Sequence, residues 1–276
     1  MNLEEEVRDG YLVTKEMKRI WAVELNLLKE LLRVCKKHNL RIWVDAGTLI
    51  GAVRHQGFIP WDDDIDTVMP RDDYEKLCQL APDEFKDPMF FQNINTDRWY
   101  WTRHSQLRDK STSMLPVGGK PRKCNNGIFI DIFVLDSIPN SAKNVYKMIR
   151  SVKWAKLRLK IAISLMRHCS LWLYDKLQWD RKYFAKYERA IKKFRNPDNR
   201  FLGKISLHER EYLFNAEAFS DTVELEFEDM TVPAPVGWNH VLTVNYGDYM
   251  IPKQMPTGHG KFVYDTSRAE CLKTVE

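Results

Sequence analysis

No stretch of this chain reaches the roughly 18 consecutive apolar residues that cross a bilayer as a helix, so no transmembrane helix is expected. The opening Met1-Asn2-Leu3-Glu4-Glu5-Glu6 is acidic and lacks the basic start and apolar core of a secretory signal, which predicts a cytoplasmic protein. Cysteine is sparse. Cys35, Cys78, Cys124, Cys169 and Cys271 stand far apart with no Cys-x-x-Cys pair, which argues against cysteine-bound zinc and against a disulfide framework. Internal repeats and low-complexity segments are missing too. Acidic residues vanish over residues 137–174, where Lys143, Lys147, Arg150, Lys153, Lys156, Arg158, Lys160 and Arg167 all occur. The overall charge is only +5, but that local asymmetry points to an anionic surface, either membrane headgroups or a polyanionic substrate. What is present is an ordinary globular composition, 44% hydrophobic and 29% charged over 276 residues. Such a chain can bury a sizeable core as one large domain or one domain with an appended lobe.

Periodicity places the elements. Residues 15–39 predict an amphipathic helix, with Met17, Ile20, Trp21, Leu27, Leu28, Leu31, Val34 and Cys35 on a stripe that Glu24 interrupts once. Asn39 supplies its stop. Residues 41–45 predict a short strand, which Gly47-Thr48 turns into a second helix ending near His55. A strand is expected over 65–69, ended by Pro70, with Asp72 or Asp73 capping the helix of Tyr74, Leu77 and Leu80. Further strands are predicted at 89–92 and 99–107, then a loop over 116–126. Residues 127–135 alternate: Ile128, Ile130, Ile132 and Val134 take one face, Phe129, Asp131 and Phe133 the other. Residues 141–195 read as helical and basic, with Met148, Val152, Ala155, Leu159, Ile163 and Met166 as an apolar stripe. The tail predicts a strand over 224–228 and a short helix over 237–244.

Within 61–69 lie four carboxylates in five residues, Asp62, Asp63, Asp64 and Asp66. Crowded carboxylates resist simultaneous ionisation, so a cation is expected among them. On a strand, period 2 would aim Asp64 and Asp66 at one point. Asp131, alone in an apolar run, is costly to bury without a cation or donors and is the natural third carboxylate. A Gly-Thr turn, an Asp-x-Asp strand and a later lone Asp together fit a metal-assisted phosphoryl-transfer site. Backbone N–H groups at Gly47 and Thr48 would hold phosphate oxygens. Asp64, Asp66 and Asp131 would hold one or two Mg²⁺ ions, with Mn²⁺ as the alternative. Asp62 and Asp63 read as supporting or turn residues.

Arg54 and His55 are candidates for binding substrate oxygens, or else an ordinary surface pair. His259, flanked by Gly258 and Gly260, is a further substrate-binding candidate. His38, His104, His168, His208 and His240 lack paired ligand spacing and read as structural or exposed. Trp61, Trp99, Tyr100 and Trp101 are core residues or the walls of a cage for a quaternary ammonium. Short strings alone do not decide the chemistry. Asp-x-Asp also serves metal-dependent glycosyltransferases. The aspartyl-phosphatase string Asp-x-Asp-x-Thr/Val would need a buried apolar strand before its first Asp, where Trp61-Asp62-Asp63 stands. An EF-hand loop lacks its Gly and distal Glu.

The gap-free run from Asp45 to Asp66, with Gly127 to Asp136 and the closing Tyr246-Gly247-Asp248-Tyr249-Met250 and His259, resembles the LicD family. These are bacterial phosphocholine transferases related to the fukutin-type proteins and, more distantly, to nucleotidyltransferases. The resemblance spans roughly residues 15–135 and 220–262, with Val134 where a proline is common, and it leaves the basic helices between uncovered. It implies an α+β, nucleotidyltransferase-like mixed sheet flanked by helices, with an inserted basic helical region. The expected division is a catalytic core at 1–140, the basic region at 141–218 and a C-terminal part at 219–276 completing the active site. In the resemblance Gly47 and Thr48 match the Gly-Ser/Thr turn, Asp64 and Asp66 the metal pair, and Asp131 the third carboxylate. The implied reaction moves phosphocholine from CDP-choline to a hydroxyl of a teichoic acid or lipopolysaccharide precursor, releasing CMP, with Asp131 placed to take the hydroxyl proton. The acceptor would be a glycan or lipid-linked glycan met at the inner face of the cell membrane, and no nucleic-acid partner is expected. The alternatives are another CDP-linked group such as a polyol phosphate, a metal-dependent glycosyltransferase, or an idle scaffold, against which the intact Asp64, Asp66 and Asp131 argue.

Overall fold

A computed structural model describes residues 1–117, 123–206, 213–254 and 262–267. A hairpin of β1 (Glu6–Arg8) and β2 (Tyr11–Val13) leads into α1 (Lys15–Lys37), whose first turn is capped by the Thr14 hydroxyl accepting the Met17 N–H at 3.2 Å. Asn39, at φ 52°, turns the chain out of the helix. Next come β3 (Trp43–Val44), α2 (Ala46–His55), β4 (Asp66–Pro70), α3 (Arg71–Glu84), β5 (Met89–Gln92), β6 (Ser105–Asp109), β7 (Ser113–Pro116) and β8 (Ile128–Ile138). Three helices follow, α4 (Ala142–Arg167), α5 (Leu171–Leu177) and α6 (Trp179–Lys192). The chain then forms β9 (Phe201–Gly203), β10 (Phe214–Asn215), the hairpin β11 (Thr222–Phe227) and β12 (Met230–Pro235), α7 (Trp238–Tyr246) and β13 (Phe262–Asp265).

The central sheet runs β10-β9-β8-β4-β3, with β6 also pairing β8 and β5 pairing β6. It is mixed: β4 and β8 are parallel and its other pairs antiparallel. This is the helix-flanked mixed sheet that the family resemblance implies. The alternating β8 is covered on both faces, with Ile130 and Ile132 fully buried and Phe129 and Phe133 nearly so. α1 lays Trp21, Leu28 and Leu31 into the main core with Trp43, Val68 and Leu107. A second core lies between α4 and α6, where Met148, Val152 and Leu159 meet Tyr187 and Ile191.

Several boundaries move. Residues 99–104 form no strand, and β6 starts only at Ser105. Asp72 and Asp73 do not cap α3. Its N-cap is Pro70, and the two carboxylates instead pair with Arg195 and Arg41, still favourably placed in the first turn of the helix. Beyond the predicted strand a further one forms, β12, and Pro233 and Pro235 lie within it, in a two-stranded hairpin where a missing N–H is tolerated.

Candidate functional site

The site forms where three chain segments are locked in register. Asp66 on β4 lies directly opposite Asp131 on β8, so both side chains leave one face of the sheet. The Asp131 N–H donates to the Ile65 carbonyl at 2.9 Å, and the Thr67 hydroxyl donates to the Asp131 carbonyl at 2.8 Å. At the end of β3 the Asp45 N–H donates to the Asp66 carbonyl at 2.9 Å. Ala46 then takes φ 47°, a sparsely populated conformation for a residue with a Cβ, and α2 begins. The Thr48 hydroxyl accepts the Asp66 N–H at 2.8 Å, which pins the first turn of α2 to the carboxylate strand.

Asp62, Asp63 and Asp64 precede β4 in the connection from α2. Each offers a carboxylate oxygen within 4.8 Å of the others. Trp21 Nε1 holds the Asp62 carbonyl at 2.9 Å, and the Tyr264 hydroxyl reaches Asp63 at 2.9 Å. Gly47 faces the Asp62 carboxylate so closely that a Cβ there would collide with it. Gly47→Ala is therefore expected to displace Asp62 and lower turnover by about 10²-fold with the fold retained, the usual effect of a misplacement near 1 Å. Turnover and circular dichroism check this; unchanged turnover would show that the close approach has no function.

Negative charge accumulates here. Burial, then the charges of Asp64, Asp131 and Asp45, hold the Asp66 carboxyl well above its usual range, while Lys204 works the other way. Glu24, from the middle of α1, is 2% exposed, and burial followed by Asp64, Asp63, Asp62 and Asp66 raises it as well. Its Oε2 is buried with no hydrogen-bond partner. Among the described residues, Lys204 pairs with Asp45 at 2.5 Å, and His104 Nε2 lies 3.0 Å from Asp131. An all-carboxylate donor set, with a buried Glu24 oxygen that has no hydrogen-bond partner beside it, fits a hard divalent ion such as Mg²⁺ or Mn²⁺.

That accumulation of negative charge has a signature in stability. Glu24 and Asp66 bind their protons more tightly in the fold than in the unfolded chain. The stability they contribute is complete below about pH 4 and is lost as the pH rises through their raised folded values. Metal-free protein is thus expected to melt lower at about pH 8 than at about pH 5, with added Mg²⁺ raising the melting temperature mainly at the higher pH. A melting temperature indifferent to Mg²⁺ at both pH values would contradict the charge accumulation.

Of the predicted residues, Asp64, Asp66, Asp131, Gly47 and Thr48 are brought together. Asp64, however, lies before β4 rather than on it, so strand alternation does not place it beside Asp66. Its converging partners are Asp62 and Asp63, which read as supporting residues from sequence. Arg54 and His55 sit at the other end of α2, and seven residues at about 1.5 Å each put Arg54 about 10 Å beyond Gly47 along the axis. Arg54 donates to the Tyr249 carbonyl at 2.7 Å, and His55 meets Asp9 at 3.0 Å. Burial, then Arg54, lowers the His55 pKa. His259 lies outside the described residues.

His104 reads as structural or exposed from sequence, yet it rests between Asp131 and the Phe133 ring. Trp99 and Trp101 carry Lys123 and Arg167 over their rings, like charges for a quaternary ammonium. Trp61 packs edge-on to Tyr11, and Tyr100 is buried. Residues without a sequence signal also enter the site. Gln106, in register with Asp131, donates to its Oδ1 at 2.7 Å, and Arg108 donates to the Gln106 side-chain oxygen Oε1. Glu24 did carry a signal, as the one acid in an apolar stripe.

Residues 39–156 match the family model described as LicD/FKTN/FKRP, nucleotidyltransferase domain. The chain is 27% identical over 247 residues to the lipopolysaccharide cholinephosphotransferase LicD of Haemophilus influenzae, covering 82% of this chain and 88% of that protein. Shorter matches, each over about a fifth of either chain, link it to two uncharacterized proteins. RP689 of Rickettsia prowazekii is 45% identical over 56 residues, and RT0683 of Rickettsia typhi is 43% identical over 60.

Proposed function

We propose that this chain, whose residues 39–156 form a LicD-family nucleotidyltransferase domain, transfers phosphocholine from CDP-choline to a hydroxyl of a cell-envelope glycan, releasing CMP. The observation that carries the proposal is the in-register Asp66–Asp131 pair facing the start of α2, with Thr48 joining them. The relative that acts on lipopolysaccharide supports the choice of group and acceptor class, with a teichoic acid or lipid-linked precursor as the corresponding acceptor in other envelopes. Such an acceptor places the reaction at the inner face of the cell membrane.

In this reading the N–H groups of Gly47 and Thr48, at the unsatisfied start of α2, donate to the donor's phosphate oxygens. Asp64, Asp66 and Asp131 hold Mg²⁺ or Mn²⁺, with Asp62 and Asp63 close enough to share it. When bound, the ion neutralises charge on the phosphoryl oxygens. Gln106 and His104 both hold Asp131 Oδ1, which fixes the carboxylate's orientation. Asp131 accepts the proton of the attacking hydroxyl as the new O–P bond forms and the P–O bond to CMP breaks. Lys204 donates to the Asp45 carboxylate at 2.5 Å and so holds it in place at the start of α2. The division into a core at 1–140, a helical region at 141–218 and a completing part at 219–276 belongs to the same reading. Tyr264 reaching Asp63 supports the last part, and the Lys204–Asp45 ion pair supports a contribution from the middle segment as well.

The test is donor choice. With Mg²⁺ and a glycan acceptor, CMP release is expected from CDP-choline. Release from CDP-ribitol or CDP-glycerol alone would replace the transferred group while keeping the mechanism. Release of UDP from a sugar nucleotide would replace the reaction with glycosyl transfer.

A further inference from the structure

α4 is apolar on two opposite sides, and only one of them is covered. Met148, Val152, Leu159 and Met166 are buried, 1 or 2% exposed, the first three in the core against α6. At about 100° per residue, Trp154, Leu157, Ile161 and Leu165 centre about 150° away from that face. Their exposures are 59, 48, 53 and 51%. The stripe is about 16 Å long at 1.5 Å per residue. Beyond the end of α4, Leu171 and Trp172 at the start of α5 are exposed by 58 and 70%.

The charges that α4 itself carries are all of one sign. Lys143, Lys147 and Arg150 are exposed in the turns before it, and Lys153, Arg158 and Lys160 are exposed along its length. No Asp or Glu occurs anywhere over residues 137–174. Isolated exposed apolar residues need no explanation, but a row of four on one helix face, flanked by cations of the same helix, does. A bare apolar stripe would suit a second copy or another protein equally well. The basic border that α4 contributes, with Arg150, Arg158 and Lys160 exposed, favours an anionic surface, and the Trp-Leu-Ile stripe beside Lys and Arg is the composition of a helix lying in a lipid headgroup layer. No described helix is long and apolar enough to span the bilayer.

We infer that the outward face of α4, through Trp154, Leu157, Ile161 and Leu165 and its border of Lys and Arg, docks the protein peripherally on an anionic lipid bilayer. The apolar side chains enter the headgroup boundary while Arg150, Arg158 and Lys160 meet lipid phosphates. This goes beyond the proposed reaction by naming the face that meets the membrane. It needs neither donor nor acceptor to be read, so failure of either proposal leaves the other standing.

Sedimentation of the full chain with vesicles tests the inference, using phosphatidylcholine alone and an equal mixture of phosphatidylcholine and phosphatidylglycerol. Binding is expected with the anionic vesicles, accompanied by a blue shift of tryptophan emission and weakened by salt. The exposed double variant Trp154→Ser/Ile161→Ser should lose that binding at least about 10-fold with the same far-ultraviolet spectrum and melting temperature. Arg150→Glu/Lys160→Glu should lose about 25-fold or more, at about fivefold per basic residue near the surface. No binding to anionic vesicles, or equal binding by both variants, would overturn the inference. So would a dimer in solution that the serine variant dissociates, since the stripe would then belong to a second copy.

Discussion

Asp66→Asn should lower CMP release by about 10³-fold or more while raising the melting temperature of the metal-free protein. The two effects oppose each other because they come from one charge. Asp66 is buried, and Asp64, Asp131 and Asp45 all disfavour its ionisation, so a neutral isostere relieves repulsion in the folded state. The same substitution removes a ligand from the cation and leaves the phosphoryl oxygens less well neutralised. The Thr48 link uses the Asp66 backbone N–H and survives the change. Turnover and a melting curve on one sample check both halves. Undiminished turnover would remove Asp66 from the chemistry, and a loss of turnover with a fall in melting temperature would make it a structural residue.

Arg71→Met should cost about 3–5 kcal/mol of stability, the expected penalty for stripping a buried carboxylate of its partner. Arg71, in the first turn of α3, is 5% exposed and binds Asp136 of β8 through two bonds of 2.8 Å each. Its third contact is Glu188 of α6 at 3.0 Å, and its guanidinium lies over the Tyr74 ring. One side chain thus joins the sheet, α3 and the helical region. Glu188, already raised by burial, would lose the cation that lowers it. Urea unfolding measures the loss. The double variant Arg71→Met/Asp136→Leu should recover much of it, because the penalty lies in the stranded charge rather than in the pair. A single-variant loss under about 1 kcal/mol would show that solvent reaches Asp136 after all.

The sequence made the carboxylates legible because charge placed against an apolar pattern is a local signal. Asp131 stands out in β8, and Glu24 stands out in α1 by the same logic. Strand alternation was right for Asp131 and misleading for Asp64, which precedes the strand and converges with Asp62 and Asp63 instead. His104, Gln106 and Lys204 carried no signal. Each reaches the site through long-range pairing, β6 against β8 and β9 against β8, which periodicity does not encode. The fold class came from the family resemblance carried by Asp45 to Asp66 and Gly127 to Asp136, while periodicity placed the individual strands and helices. The start of β6 was not legible, because the aromatic run of residues 99–101 has strand propensity yet packs as a loop against α5. The buried stripe of α4 was visible in its spacing, whereas the second, exposed stripe becomes evident only once α6 is seen to cover the first.

The central claim, cation-dependent transfer of phosphocholine, is tested most directly by the acceptor product. The protein is incubated with CDP-choline and glycan acceptor, and the acceptor is analysed by mass spectrometry alongside CMP. The account predicts acceptor carrying one phosphocholine per CMP released, abolished by a chelator, restored by Mg²⁺ and lost in Asp66→Asn. Transfer that persists in the chelator, or CMP formed without modified acceptor, would contradict it.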